Sequence, residues 1–188
     1  MKVAVTGHTK GLGRSICECL QSKGIETIGF SRSNGFDISN PKSRTEIIQA
    51  SKDVTHFFNN AYSDYAQIDL LYEFYESYKD TDKKVINIGS MASNVAEWRM
   101  EPSRYSVVKK ALDSATYQLI NSKDKSKNFD LLVFKPGYLN TSMVDHTKVY
   151  AWIDKDEAAK FLVDLVLQDK NFSISEIVMR PTRYNNEI

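Results

Sequence analysis

The sequence predicts an α/β fold, a doubly wound parallel sheet built by a single domain of 188 residues. Three observations carry that expectation. Apolar runs of strand length alternate with longer segments of helical period. Most of the runs are near-continuously apolar, as parallel strands covered on both faces are. A glycine-rich turn lies between the first strand and the first helix, the arrangement of Rossmann-type sheets.

The expected strands are Val3–Thr6, Glu26–Phe30, Val54–Asn59, Lys84–Ile88, Phe129–Phe134 and Glu176–Met179. Leu12–Lys23 is the first helix, with Leu12, Ile16, Cys19 and Leu20 on one face and Gly24 as its stop. Asn40-Pro41 reads as an N-cap followed by proline at the first helical position, which opens a helix over Pro41–Ser51. Tyr65–Lys79 places Ile68, Leu71, Tyr72 and Tyr75 at helical spacing. Ser103–Ile120 and Asp154–Leu167 complete the set, and Asp154 and Glu157 stand at capping-box spacing.

Composition excludes several classes. Hydrophobic residues make up 41% and charged residues 26%, and the net charge is +1. A nucleic-acid binder carries a basic excess or stripe, and neither is present. The mixed cluster Lys123–Lys127 reads as a solvated helix end. Cys17 and Cys19 sit two apart in a helix, where they point in different directions and are badly placed to bridge. A reducing compartment fits. No apolar run approaches the ~18 residues of a membrane span, and the sequence opens on a strand with no signal-peptide pattern. The expectation is a cytoplasmic protein that binds neither membrane nor nucleic acid.

In doubly wound sheets ligands bind beyond the C-terminal strand ends. The segment Thr6-Gly7-His8-Thr9-Lys10-Gly11-Leu12-Gly13 lies there. Gly7 suits a tight turn, and Gly11 and Gly13 allow close approach of backbone to a ligand. The helix that follows offers N–H groups and a positive dipole end to phosphate. A P-loop is excluded, because five residues separate Gly7 from Gly13 and Arg14 stands in place of the lysine. The second strand runs into Ser31-Arg32-Ser33. An acid there would hold a ribose hydroxyl and repel a 2′-phosphate, whereas a guanidinium between two hydroxyls suits that phosphate. The expected cofactor is therefore NADP(H) in preference to NAD(H). Asp37-Ile38 and Asn59-Asn60-Ala61 have turn and capping readings of their own and gain meaning beside the glycine turn.

Ser90 follows the run Val85–Gly89; Tyr105 comes 15 positions later and Lys109 four after that. Positions i and i+4 share a helix face, so the lysine lies near the phenol and is expected to lower its pKa. Such a tyrosine can pass a proton to or from a carbonyl or alcohol oxygen, and a serine hydroxyl can hold the same oxygen. The spacing alone is weak, since Tyr75 and Lys79 match it too in a chain of ten tyrosines. Tyr75 has core-like spacing and lies upstream of the serine strand, so it reads as packing.

Together these residues resemble the short-chain dehydrogenase/reductase family along nearly the whole chain. Thr6-Gly7-x-x-x-Gly11-x-Gly13 matches its cofactor motif, Asp37 its adenine-contacting acid and Asn59-Asn60-Ala61 its Asn-Asn-Ala-Gly. Ser90, Tyr105 and Lys109 match its catalytic serine, tyrosine and lysine. Pro136-Gly137-Tyr138-Leu139-Asn140-Thr141 matches the segment that contacts the nicotinamide, with Pro136, Gly137, Leu139 and Thr141 as expected cofactor contacts. The resemblance implies one NAD(P)-binding domain over residues 1–188 and hydride transfer between nicotinamide and a small carbonyl or alcohol. In that scheme Tyr105 is acid or base, Ser90 orients the substrate oxygen, and Lys109 lowers the phenol pKa and binds the ribose.

The departures are specific. Tyr62 replaces the last glycine of Asn-Asn-Ala-Gly, and Ser90 follows Ala61 by only 29 positions. No asparagine lies between Tyr62 and Lys84, where the family carries one that supports a relay water. The missing stretch also removes helix surface that many members use to pair subunits, so a homo-oligomer is compatible with the sequence but unspecified by it. The segment after Thr141 is short, which predicts an open pocket near Tyr62, Met91, Trp98, Tyr138 and Met143. The competing expectation is an NADP(H)-binding sensor or scaffold without catalysis.

Overall fold

The computed structural model describes residues 1–96, 102–142, 151–168 and 171–182. The elements follow in the order β1 (Lys2–Thr6), α1 (Gly11–Ser22), β2 (Glu26–Phe30), α2 (Pro41–Ala50), β3 (His56–Asn59) and α3 (Ala66–Tyr78). Then come β4 (Lys84–Ile88), α4 (Arg104–Ile120), β5 (Asp130–Pro136), α5 (Lys155–Val166) and β6 (Glu176–Met179). Short 3₁₀ turns over Arg32–Asn34 and Met91–Val95 follow β2 and β4. All six strands pair in parallel in the order β2-β1-β3-β4-β5-β6. The chain leaves β1 toward β2 on one side and returns to β3 on the other. The crevice at this reversal lies at the C-terminal ends of β1 and β3, the place where such sheets bind ligands.

Burial on both faces explains the continuous apolar runs. Side chains alternate across the pleat, so Ala4, Phe57, Val85 and Leu131 pack against α2, α3 and α4. Val3, Val5, Phe58, Ile86 and Leu132 pack on the opposite face against α1 and α5. The expected strands and helices are all present, with ends displaced by one or two residues. Val54 and Thr55 precede the third strand, and Pro136 extends the fifth.

Capping residues behave as the sequence implies. Asn40 Oδ1 accepts the Lys42 N–H, and Asp154 Oδ1 accepts the N–H groups of Asp156 and Glu157. Gly24 takes a left-handed φ of 71° just after α1. Two helix faces differ from expectation. On α1 Cys17 is buried while Cys19 is half-exposed. On α3 the buried stripe is Ala66, Gln67, Leu70, Leu71, Phe74 and Tyr75, and Ile68 and Tyr72 lie at its edge. The apolar Ile68 and Tyr72 suggest a stripe rotated by one position, because the polar Gln67 hides the true one. Tyr75 is a packing residue whose hydroxyl donates to Asp124 Oδ1 at 2.6 Å, and Lys79 pairs with the same carboxylate at 2.8 Å. The Lys123–Lys127 cluster is thus pinned to α3 at its one acid.

His56 on β3 is buried, and its Nε2–H donates to the Val166 carbonyl at 3.1 Å. Burial pushes the imidazole pKa below its ordinary value, against the opposing pull of that carbonyl. The folded protein therefore binds fewer protons at this site than the unfolded chain below pH ~6.5. Stability contributed here is present above that value and is lost as pH falls through it. Chemical denaturation across this range is expected to show a steeper acid loss in the wild type than in His56→Leu, whose profile flattens.

Candidate functional site

The glycine turn is built by the backbone demands of its glycines and by one threonine. Gly7 and Gly11 adopt left-handed φ values of 70° and 53°, where a side chain is strained. A Cβ on Gly13 would lie 2.3 Å from the Gly7 carbonyl oxygen and 2.5 Å from Asn60 Nδ2. Thr6 Oγ1 accepts the N–H groups of Asn60 and Ala61, both at 2.9 Å, and donates to the Phe58 carbonyl at 3.3 Å. Asn60 Nδ2 returns a bond to the Thr6 carbonyl at 2.9 Å. The ends of β1 and β3 are thereby fastened together. The first turn of α1 has no side-chain cap and no acid, so its N–H groups and dipole are available to an anion.

Several expected contacts divide between backbone and side chain. Leu12 and Leu139 are buried in the α1/α5 core, and Ile38 in the α2/α3/α4 core. Their side chains pack in the core. Asn59 is also corrected. It is fully buried, with Nδ2 bonded to the Gln67 carbonyl at 2.9 Å and to Asn87 Oδ1 at 3.0 Å, so it braces the strand end from within. The apolar neighbours Phe57 and Phe58 gave no sign of this, because an asparagine in such a run looks the same whether it faces in or out.

At the end of β2, Ser31 is buried and shares a hydroxyl bond with Ser33 at 2.8 Å. Its backbone N–H donates to Asn34 Oδ1 at 2.8 Å. The two serines shape the turn, and Arg32 is left exposed at its rim. Asp37 accepts from the Ser39 N–H and hydroxyl, which hold its carboxyl below the usual range, and the positive charge of Arg32 adds to this. Arg44, nearly buried, donates to the Ile38 carbonyl at 3.0 Å and to Glu73 Oε1 at 2.9 Å, which fixes this loop on α3. His8 is seated on Gly29, where a Cβ would lie 2.3 Å from the imidazole ring. Gly29 escaped the sequence reading, although a glycine inside a strand signals close approach of a neighbour.

Ser90, Tyr105 and Lys109 come together at the other side of the sheet end. Ser90 follows β4 and its Oγ accepts the Ala92 N–H at 3.1 Å. Tyr105 lies in the first turn of α4, capped by Ser103 Oγ, which accepts the Ser106 N–H at 3.3 Å. The Ser90 hydroxyl lies on the Tyr105 side of this corner, close enough to act on the phenol. Burial raises the Tyr105 pKa, and the nearby Ser90 hydroxyl opposes that rise. This corrects the expectation of a phenol lowered by Lys109. Lys109 is 3% exposed, and its Nζ donates inward to Gln67 Oε1 at 2.8 Å and to the Ile88 carbonyl at 2.7 Å. The ammonium faces the rings of Tyr62 and Tyr105 at 5.3 and 5.8 Å from their centroids, without bonding the phenol oxygen. Burial lowers its pKa to about 7.

The Pro136–Thr141 segment closes back on the glycine turn. The Gly137 N–H donates to the Met179 carbonyl at 2.8 Å. The position a Gly11 Cβ would take lies 3.4 Å from Thr141 Cγ2. Asn140 Oδ1 accepts the Lys155 N–H at 2.8 Å, joining this segment to the start of α5. Among the described residues, no group of acidic, histidine and cysteine side chains is placed to hold a metal. Among them also, no helix is long and apolar enough to cross a membrane.

No protein-family model and no curated protein sequence matches the chain. Solved structures do. A short-chain dehydrogenase from Burkholderia cenocepacia J2315, in complex with NADP, matches at TM-score 0.80 and 19% identity, over 95% of this chain and 87% of that one. The chain has the short-chain dehydrogenase/reductase fold. A 3-ketoacyl-(acyl-carrier-protein) reductase from Brucella melitensis complexed with NADH matches at TM-score 0.80 and 13% identity, over 97% of both chains. The 3-alpha-hydroxysteroid dehydrogenase from Pseudomonas sp. B-0831, complexed with NADH, matches at 0.78 and 17%, over 96% of this chain and 94% of that one.

Two further local contacts complete the site. Tyr62 packs edge-on against Tyr105, with ring centroids 5.1 Å apart. Gln67, on the helix that lacks the expected asparagine, bonds Lys109 directly. Met91 packs near Gly137, and Tyr138 is exposed. Trp98 and Met143 lie outside the described residues. Gly13→Ala tests the turn. Its Cβ meets backbone that cannot give way cheaply, so thermal unfolding is expected to show a loss of roughly 1–3 kcal/mol.

Proposed function

We propose that the chain is an NADP(H)-dependent oxidoreductase that exchanges hydride with a small carbonyl or alcohol substrate. The observation that carries this reading is the convergence of Tyr105, the Lys109 ammonium 5.8 Å from its ring centroid, and the Ser90 hydroxyl at one end of the sheet. The cradle's residues fit a dinucleotide. The uncapped start of α1 and the left-handed Gly7 and Gly11 suit a pyrophosphate, and exposed Arg32 suits a 2′-phosphate. Lys10 and Thr9 border the same turn, and Asp37, Asn60 and Ala61 border the nucleoside end. When bound, the nicotinamide supplies hydride exchange at its ring carbon.

The protein's own part is proton handling. Burial keeps the Tyr105 phenol protonated, so the resting side chain is a proton donor, which suits carbonyl reduction. Ser90 holds the same oxygen that receives the proton. Lys109 carries its proton below about pH 7 and stands over the ring of the donor. Pro136, Gly137 and Thr141 border the space between the strand ends and the glycine turn.

Tyr105→Phe is expected to lower turnover by about 10²–10⁴-fold while NADPH binds as in the wild type. A carbonyl panel followed by NADPH consumption, with fluorescence titration of binding, reads both quantities. A variant as active as the wild type, or a wild type that reduces nothing in the panel, contradicts the reading. Reduction is also expected to run faster just below neutral pH than just above it, because Lys109 loses its proton as pH rises through about 7.

A further inference from the structure

We propose that Gln67 is a positioning residue: its side-chain amide fixes the Lys109 ammonium at the site. Gln67 lies on the buried stripe of α3 and is 1% exposed. An amide buried among apolar side chains is costly unless its atoms are bonded. Here its Nε2 donates to the Asn59 carbonyl at 2.6 Å and to the Ile88 carbonyl at 3.2 Å. Its Oε1 accepts from Lys109 Nζ at 2.8 Å. The two carbonyls settle which way the amide points, because the flipped form would set oxygen against oxygen. The acceptor is thereby aimed at the lysine before any ligand arrives.

The consequence for Lys109 is geometric. An ammonium has three N–H donors. Gln67 Oε1 takes one and the Ile88 carbonyl another, so the third is left for the side where Tyr62 and Tyr105 stand. Neither acceptor titrates, so the charge is held without being neutralised. The ionisable groups that face Lys109 are Tyr105 and Asp113 on its own helix and Tyr62 from the loop before α3. Among the described residues, the elements behind it contribute the Gln67 amide from α3 and the Ile88 carbonyl from β4. Behind Gln67 the network continues through Asn59, Asn87 and Thr116, whose hydroxyl donates to the Leu112 carbonyl on α4. It therefore braces the helix that carries Lys109.

The meaning of this anchor for catalysis rests on the proposed oxidoreductase reading, but the anchor itself is measurable without turnover. Side-chain NMR of isotope-labelled lysine in the ligand-free protein is the probe. Gln67→Met is expected to lower the Lys109 pKa by roughly one unit, and to move the alkaline limb of the kcat/KM profile down by the same amount. Thr116→Val, at the far end of the same network, is expected to leave both in place. In the wild type the Lys109 side chain is expected to be immobile beside freely rotating surface lysines. An unshifted titration in Gln67→Met, an equal shift in Thr116→Val, or a freely rotating Lys109 overturns the proposal. The wild-type mobility measurement decides the case should Gln67→Met fail to fold. A shifted titration in a protein that transfers no hydride removes the activity reading and leaves the anchor standing.

Discussion

The hydroxyl of Thr6 is the interaction on which the functional end of this molecule depends. It receives two backbone N–H groups at the end of β3 and donates to a third backbone group of the same strand. Parallel strands diverge where the chain reverses direction across a sheet, and nothing in the ladder holds their ends beyond the last pair. Thr6 and Asn60 supply that hold. With β1 and β3 fastened, Gly13 can pack beneath the Gly7 carbonyl, and α1 starts directly at the crevice. The cradle is a by-product of closing the switch point tightly.

At the other side of the crevice the constraint is electrostatic. Lys109 is almost wholly removed from water, which disfavours its charge. Two interior acceptors compensate in part. The same burial keeps Tyr105 protonated. A protonated phenol thus stands beside a lysine whose pKa lies near neutrality. Tyr62 stacks edge-on against Tyr105 and lies beside the Lys109 ammonium at this corner.

The fold was legible because its two-sided burial writes itself into the sequence as continuous apolar runs, and because Asn40, Asp154 and Gly24 mark helix ends by their own chemistry. The glycine turn and the trio Ser90, Tyr105 and Lys109 were legible from type and spacing. Gln67 was not, because a polar residue on a buried stripe makes the apolar periodicity point one position away. The true orientation of Lys109 was also hidden. Spacing places it one turn from Tyr105, but the acceptors that turn it inward come from β4 and α3, far away in sequence. Leu12, Ile38 and Leu139 border the cradle in sequence yet send their side chains into the core, since backbone and side chain of one residue serve different neighbours.

The proposed activity requires that the crevice between β1 and β3 hold a dinucleotide and that Arg32 make it favour the 2′-phosphorylated form. Paired fluorescence titrations with NADPH and NADH, repeated on Arg32→Ala, address both halves at once. NADPH is expected to bind at least about tenfold more tightly than NADH, a difference of ~1.4 kcal/mol, and Arg32→Ala to remove the difference. Equal affinity in the wild type, or no binding of either nucleotide, would contradict the proposal.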